Sequence, residues 1–166
     1  MLNKGKTVFL CGFMGSGKST VGKELAMKLG RDFVDLDEYI VRQEGMSISE
    51  IFELKGEDYF RKLESHALAS LPCSVGVVAT GGGTLLRDEN SALARSLGSV
   101  VYIDTPFELC YARIKGDKRR PIAYNSTREQ LLERYNQRSV IYRRNSDFCV
   151  DGSLSPIEIV QEILKN

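Results

Sequence analysis

The run Gly12-Phe13-Met14-Gly15-Ser16-Gly17-Lys18-Ser19 fits the phosphate-loop pattern G-x-x-x-x-G-K-[ST] at every fixed position. Those residue types suit one chemistry. Glycines let the backbone curl until successive N–H groups point at phosphate oxygens. A helix starting near Lys18 adds its positive dipole end. Lys18 then reaches the β- and γ-phosphates of ATP, and the Ser19 hydroxyl ligates Mg²⁺. The rival reading is a chance glycine-rich turn. An apolar strand before the run and a helical pattern after it argue against that.

Asp35-Leu36-Asp37 follows the apolar pair Phe33-Val34. A strand through this stretch puts Asp35 and Asp37 on one side. Strand C-termini line the ligand crevice of an open parallel sheet, so both carboxylates are expected to face the phosphate loop. One would hold a Mg²⁺-bound water and the other would accept a hydroxyl proton. The plainer alternative is a helix N-cap for a helix starting near Glu38.

Arg61 and Glu64 are three apart on a helical stretch and can pair. Arg138 is one of several basic residues, with Arg134, Arg143 and Arg144, on another. Both arginines read either as surface charges or as bidentate contacts to a substrate carboxylate. Gly81-Gly82-Gly83 closes an apolar run at a place where a ligand can approach backbone. Arg113, Lys115, Lys118, Arg119 and Arg120 form a basic run before Pro121. As a mobile lid it would exclude water and bring an arginine to the γ-phosphoryl group. As a nucleic-acid patch it is short and lacks interleaved aromatics. His66 reads as structural.

The elements that must carry these residues alternate. Thr7–Cys11, Phe33–Leu36, Val75–Ala79, Val100–Ile103 and Phe148–Val150 read as strands. Ser19–Leu29, Ser49–Leu71 with a break near Gly56, Asp88–Leu97, Pro106–Ile114, Thr127–Arg144 and Pro156–Leu164 read as helices. Lys115–Asn125 reads as a polar loop. Alternation with doubly buried strands predicts an α/β fold, a parallel sheet covered by helices. The 166 residues suit one domain, 1–166. Lys plus Arg is 23 and Asp plus Glu is 22, a net charge of +1 that gives no whole-molecule case for nucleic acid or anionic membrane. No apolar run is long enough to span a bilayer, and the basic start lacks a signal peptide's length and cleavage site, so a cytoplasmic protein is expected. Cys11, Cys73, Cys110 and Cys149 lie far apart, without metal-ligand spacing.

Taken in order, Gly12–Thr20, Asp35-Leu36-Asp37, Phe52 through Gly56-Glu57-Asp58-Tyr59-Phe60-Arg61 to Glu64, Thr80-Gly81-Gly82-Gly83, Arg120-Pro121 and Arg138-Ser139-Val140-Ile141-Tyr142 resemble the shikimate kinase family over nearly the whole chain. The first segment alone would fit any P-loop enzyme; the ordered set is specific. The resemblance implies a nucleoside-monophosphate-kinase-like, three-layer α/β/α fold with a five-stranded parallel sheet. It implies two moving parts, substrate-binding helices near 38–64 and a lid near 115–126. It implies transfer of the ATP γ-phosphoryl group to the 3-hydroxyl of shikimate, on the route to chorismate and aromatic amino acids. By position, Gly15, Ser16, Gly17, Lys18, Ser19 and Thr20 would hold ATP. Ser19 would ligate Mg²⁺ and Asp35 would support its water shell. Asp37 would contact shikimate hydroxyls and act as base. Arg61, Arg138 and the Gly82-Gly83 backbone would hold the carboxylate and ring hydroxyls, with Phe52 and Phe60 as walls. Arg120 would reach the phosphates, with Arg119 as the competing lid arginine. Arg113 and Pro156 would flank adenine. No Walker B aspartate closes the Val75–Ala79 run, as in the family.

Two other readings stay open from sequence: a gluconate-kinase-like enzyme for another small metabolite, and a non-catalytic nucleotide-binding module. Arg61, the triple glycine and Arg138 oppose the first. Lys18, Ser19, Asp35 and Asp37 oppose the second. The expected partners are ATP and shikimate, and the expected state is a monomer.

Overall fold

The computed structural model describes residues 5–166. Five strands, β1 (Thr7–Cys11), β2 (Phe33–Asp35), β3 (Val77–Ala79), β4 (Gly98–Asp104) and β5 (Phe148–Asp151), form one sheet in the order β2-β3-β1-β4-β5, and every pairing is parallel. The helices are α1 (Lys18–Leu29), α2 (Leu36–Glu44), α3 (Ile48–Lys55), α4 (Glu57–Ser70), α5 (Asp88–Leu97), α6 (Phe107–Ile114), α7 (Pro121–Tyr124), α8 (Arg128–Asn145) and α9 (Pro156–Lys165). A 3₁₀ turn at Thr84–Leu86 follows the glycine triplet.

Strand periodicity divides the core. Phe9 and Cys11 of β1 pack to one face with Val78, Val100, Tyr102, Leu131 and Tyr142. Val8 and Leu10 pack to the other with Val77, Val101, Ile103, Leu25, Ile159 and Ile163. Both faces are therefore covered, which is why β1 and β4 are almost unbroken apolar runs. A separate cluster of Leu36, Ile40, Ile51, Phe60 and Ala67 joins α2, α3 and α4. Gly56 separates α3 from α4 at φ 84°, a positive-φ backbone that glycine adopts readily and that lets the chain turn between two helices of the cluster.

The strand order reverses direction at β1: the chain leaves β1 toward β2 on one side and leaves β3 toward β4 on the other. The loops after β1 and β3 therefore diverge from adjacent strand ends and open a crevice between them. Among the described residues no helix is long and apolar enough to cross a membrane.

Three sequence expectations need correction. Leu36 does not extend β2 but opens α2, so Asp37 lies in the first turn of a helix and does not alternate with Asp35 along a strand. The third strand spans only Val77–Ala79, because Val75 is held in a turn by its N–H donating to Pro72 O at 3.1 Å. Part of the expected loop Lys115–Asn125 coils into α7, with Pro121 supplying the fixed φ of a first helical position.

Candidate active site

The loop between β1 and α1 curls around the Lys18 side chain. Its Nζ donates to Gly12 O at 2.8 Å, Phe13 O at 3.0 Å and Ser16 Oγ at 3.3 Å. Gly15 and Gly17 adopt φ of 80° and 93°. A Cβ on Gly15 would also lie 2.7 Å from Ile114 and 2.8 Å from Cys110 O, so α6 closes against the loop only when that position is glycine. Gly17, the N-cap of α1, offers no side-chain cap, which leaves the helix's first N–H groups to a ligand. Burial, and next the Arg120 charge, pull the Lys18 pKa down to about 8 against the opposing pull of Asp37.

Asp35 does two jobs. One oxygen, Oδ1, accepts from the Asp37 and Glu38 amides at 3.0 and 3.2 Å and caps α2. The other, Oδ2, accepts a short hydrogen bond from Ser19 Oγ. The cap reading and the metal-side reading of Asp35 are thus compatible, since they use different oxygens. Asp37 then projects from the first turn of α2, and its Oδ1 is sealed from solvent with no hydrogen-bond partner among the described residues. Burial pushes the Asp37 pKa up to about 7, helped by the Glu64 and Asp35 charges and opposed by Lys18 and Arg120.

The far wall carries the arginines. Arg61 donates to Glu64 at 2.6 Å and to Glu57 at 3.0 Å. Glu64 is 1% exposed and also accepts from Thr84 Oγ1 at 2.7 Å, so this pair is an interior one and no surface bridge. Arg138 is buried as well, unlike its neighbours Arg143 and Arg144 on α8. No carboxylate among the described residues pairs with it. Burial lowers its pKa, and the nearby Arg134 and Arg61 charges add to that.

These groups line one cleft of about 700 Å³. It runs from Gly15, Ser16, Gly17, Lys18, Ser19 and Thr20, past Asp35 and Asp37, to Phe52, Phe60, Arg61, Gly82, Gly83 and Arg138. Arg113, Arg120 and Pro156 border it too. Arg113 braces the phosphate loop by donating to Gly15 O at 2.8 Å. Every site residue expected from sequence is therefore brought to the same cavity. Arg119 pairs with Asp117 through two nitrogens and leaves its side chain 90% exposed, whereas the Arg120 charge acts on both Lys18 and Asp37. His66 lies exposed on α4, outside the cleft. Glu64, Ile48, Asp117 and Leu154 also line it and were not expected there. Only Glu64 had a signal in sequence, its spacing from Arg61.

A parallel sheet with a phosphate loop at its switch strand, opening into a cleft lined by acids and arginines, defines a P-loop phosphotransferase of the nucleoside-monophosphate-kinase-like class. Residues 14–166 match the shikimate kinase family model, and the chain belongs to the shikimate kinase family. A shikimate kinase of Persephonella marina is 43% identical over 160 residues, covering 96% of this chain and 97% of that protein. The solved shikimate kinase of Acinetobacter baumannii in complex with shikimate superposes with a TM-score of 0.91 at 36% identity, covering 96% of this chain and 91% of that one. A gluconokinase of Sinorhizobium meliloti, covering 96% of this chain and 90% of its own, shares the fold at a TM-score of 0.60 and 18% identity.

Proposed function

We propose that the protein transfers the γ-phosphoryl group of ATP to the 3-hydroxyl of shikimate, giving shikimate 3-phosphate and ADP in the route to chorismate and aromatic amino acids. One observation carries the acceptor: a buried guanidinium with no carboxylate partner among the described residues, Arg138, shares the pocket with the carboxylate of Asp37. A charged group buried without a counter-charge costs free energy. A small ring bearing one carboxylate and several hydroxyls would satisfy both. Arg61, its fork steadied by Glu64 and Glu57, would share the carboxylate.

Phosphoryl transfer asks the protein mainly to position and to neutralise charge. The phosphate-loop amides and Lys18 would hold the β- and γ-phosphates. The Asp37 carboxylate, which lines the cleft, would accept the 3-hydroxyl proton as the new O–P bond forms and the bond to the β-phosphate oxygen breaks. A pKa near 7 suits a base working near neutrality. The Ser19 hydroxyl and Asp35 carboxylate form a hard-oxygen pair that suits Mg²⁺, with Asp35 acting through water. Bound there with ATP, Mg²⁺ would neutralise phosphate charge. Arg120 would add charge from the lid. We read residues 1–166 as one kinase domain, a cytoplasmic monomer, with residues 38–64 and 115–126 as its moving parts.

A coupled ADP-release assay across shikimate, quinate, gluconate and no acceptor tests this reading. Turnover with shikimate well above the rest is expected. Equal turnover with gluconate, or ADP release that ignores every acceptor, would overturn it.

A further inference from the structure

α8 meets the glycine loop along one face. Arg138, Tyr142 and Asn145 are spaced four and three apart, so their side chains share that face. Tyr142 is 1% exposed, and its ring tilts against that of Tyr102 with centroids 5.4 Å apart. Its hydroxyl donates to Gly82 O at 2.5 Å, and the Asn145 amide donates to Leu85 O at 2.9 Å. A Cβ on Gly82 would lie 3.7 Å from Arg138 Nη1 and 3.8 Å from the Tyr142 oxygen. Glycine backbone, guanidinium and phenol thus converge on one spot at the cleft wall. Tyr142 itself does not line the cleft.

The Gly82 carbonyl and the Gly83 N–H belong to one planar trans peptide and point in opposite directions. Holding the carbonyl toward Tyr142 therefore turns the Gly83 N–H away from it. Gly83 in turn lies against Arg61: a Cβ there would be 1.9 Å from Arg61 Nη1. One phenol hydroxyl is placed to set the orientation of that peptide between the two arginines.

We propose that Tyr142 is a positioning residue for the acceptor, its hydroxyl fixing the Gly82–Gly83 peptide and the Arg138 guanidinium in the arrangement that receives the substrate. This rests on the shikimate reading above. Burial pushes the phenol pKa well up, so the hydroxyl stays a donor throughout the working pH range.

Tyr142→Phe keeps the ring and removes only the hydroxyl. The KM for shikimate should rise about tenfold, equivalent to about 1.4 kcal/mol, and by the same factor at pH 6.5 and 8.5. The KM for ATP should stay within about twofold, because the phosphate loop is untouched. Combined with Arg138→Lys, the loss should be less than the product of the single losses, since both act on one arrangement. A shikimate KM within about twofold of the parent, equal rises in both KM values, or multiplicative losses would overturn the proposal. The unaltered enzyme in the same assay reports separately whether shikimate is an acceptor at all. Should the variant not fold, the Tyr142 hydroxyl proton resonance of the unaltered protein decides. It should shift on adding shikimate and not on adding an ATP analogue alone; no shift with shikimate would sink the idea.

Discussion

Asp37 keeps a carboxylate oxygen where water cannot reach it and no donor among the described residues meets it. Its folded pKa, pushed up to about 7 from 3.8, means the native state binds the proton more tightly than the unfolded chain does. Stability therefore falls as pH rises between those values, and the cost is fully present above about 7. Asp37→Asn should raise Tm at pH 8 by several degrees, at roughly 2–4 °C per kcal/mol for a chain of this size, and change it little at pH 4. The same variant should abolish turnover. In the unaltered enzyme, kcat/KM should climb as Asp37 loses its proton near 7 and fall as Lys18 loses its own near 8. An Asp37→Asn protein that is active, or less stable at pH 8 than its parent, would contradict this assignment. Arg61→Lys and Arg138→Lys keep charge and lose the fork. Each should raise the KM for shikimate about tenfold or more while leaving that for ATP nearly unchanged, since a lost charge-assisted hydrogen bond is worth about 1.5–3 kcal/mol. Unchanged shikimate KM values in both would place the carboxylate elsewhere. These residues were legible because chemistry restricts type: a phosphate loop needs glycines, a lysine and a hydroxyl in fixed order. Burial was not legible. Nothing local distinguishes Arg138 from Arg143 or Arg144, and only packing against the glycine loop separates them.

At the scale of elements, the short links do the aligning. Gly81 follows β3 and sits between two carboxylates: a Cβ there would lie 2.5 Å from Glu64 Oε1 and 2.8 Å from Asp37 Oδ1. Gly81→Ala must displace at least one of them. Its φ is not positive, so the effect is steric and local. Turnover should drop at least about tenfold, because misplacing a reacting group by about an ångström can cost a hundredfold, with Tm lowered only modestly. Full activity in Gly81→Ala would show that the acid pair tolerates movement. Strands and long helices were readable from apolar periodicity, and α5 begins and ends at the expected Asp88 and Leu97. The entry into α2 was not. Leu36 suits either a strand end or a first helical turn, and the decision falls to Asp35, whose side chain caps the helix. The 3₁₀ turn at Thr84–Leu86 was equally silent, since it is held by bonds from α8 and α4, such as Asn145 to Leu85 O and Thr84 Oγ1 to Glu64.

At the scale of the molecule, two bodies meet over the strand ends: the α2–α4 cluster carrying Asp37 and Arg61, and the Lys115–Asn125 segment carrying Arg120. They touch. Ser49 Oγ of α3 donates to Lys118 O at 3.0 Å, and Ala123 of α7 is buried. The rest of the segment is charged and exposed, with few buried apolar contacts, which places it at the low-stability end of the structure. Within it, Asp117 holds Arg119 through two nitrogens and Arg120 at 3.4 Å. Arg120 is the freer of the two to exchange that carboxylate for phosphate oxygens, and its charge already acts on Lys18 and Asp37. Contacts made mainly in the transition state lower kcat more than they raise KM when removed. Arg120→Ala should therefore cut kcat at least about tenfold, or about 1.4 kcal/mol, with a small change in the KM for ATP. Arg119→Ala, removing a side chain already committed to Asp117 and solvent, should change kcat by less than about threefold, the scale of an exposed ion pair. Amide exchange across residues 115–125 should slow when an ATP analogue and shikimate are both bound, and slow less with either alone, because the Ser49 bond ties the segment to α3. Unchanged kcat in Arg120→Ala, a larger loss in Arg119→Ala, or protection that is the same with and without ligands would each remove the lid from the reaction.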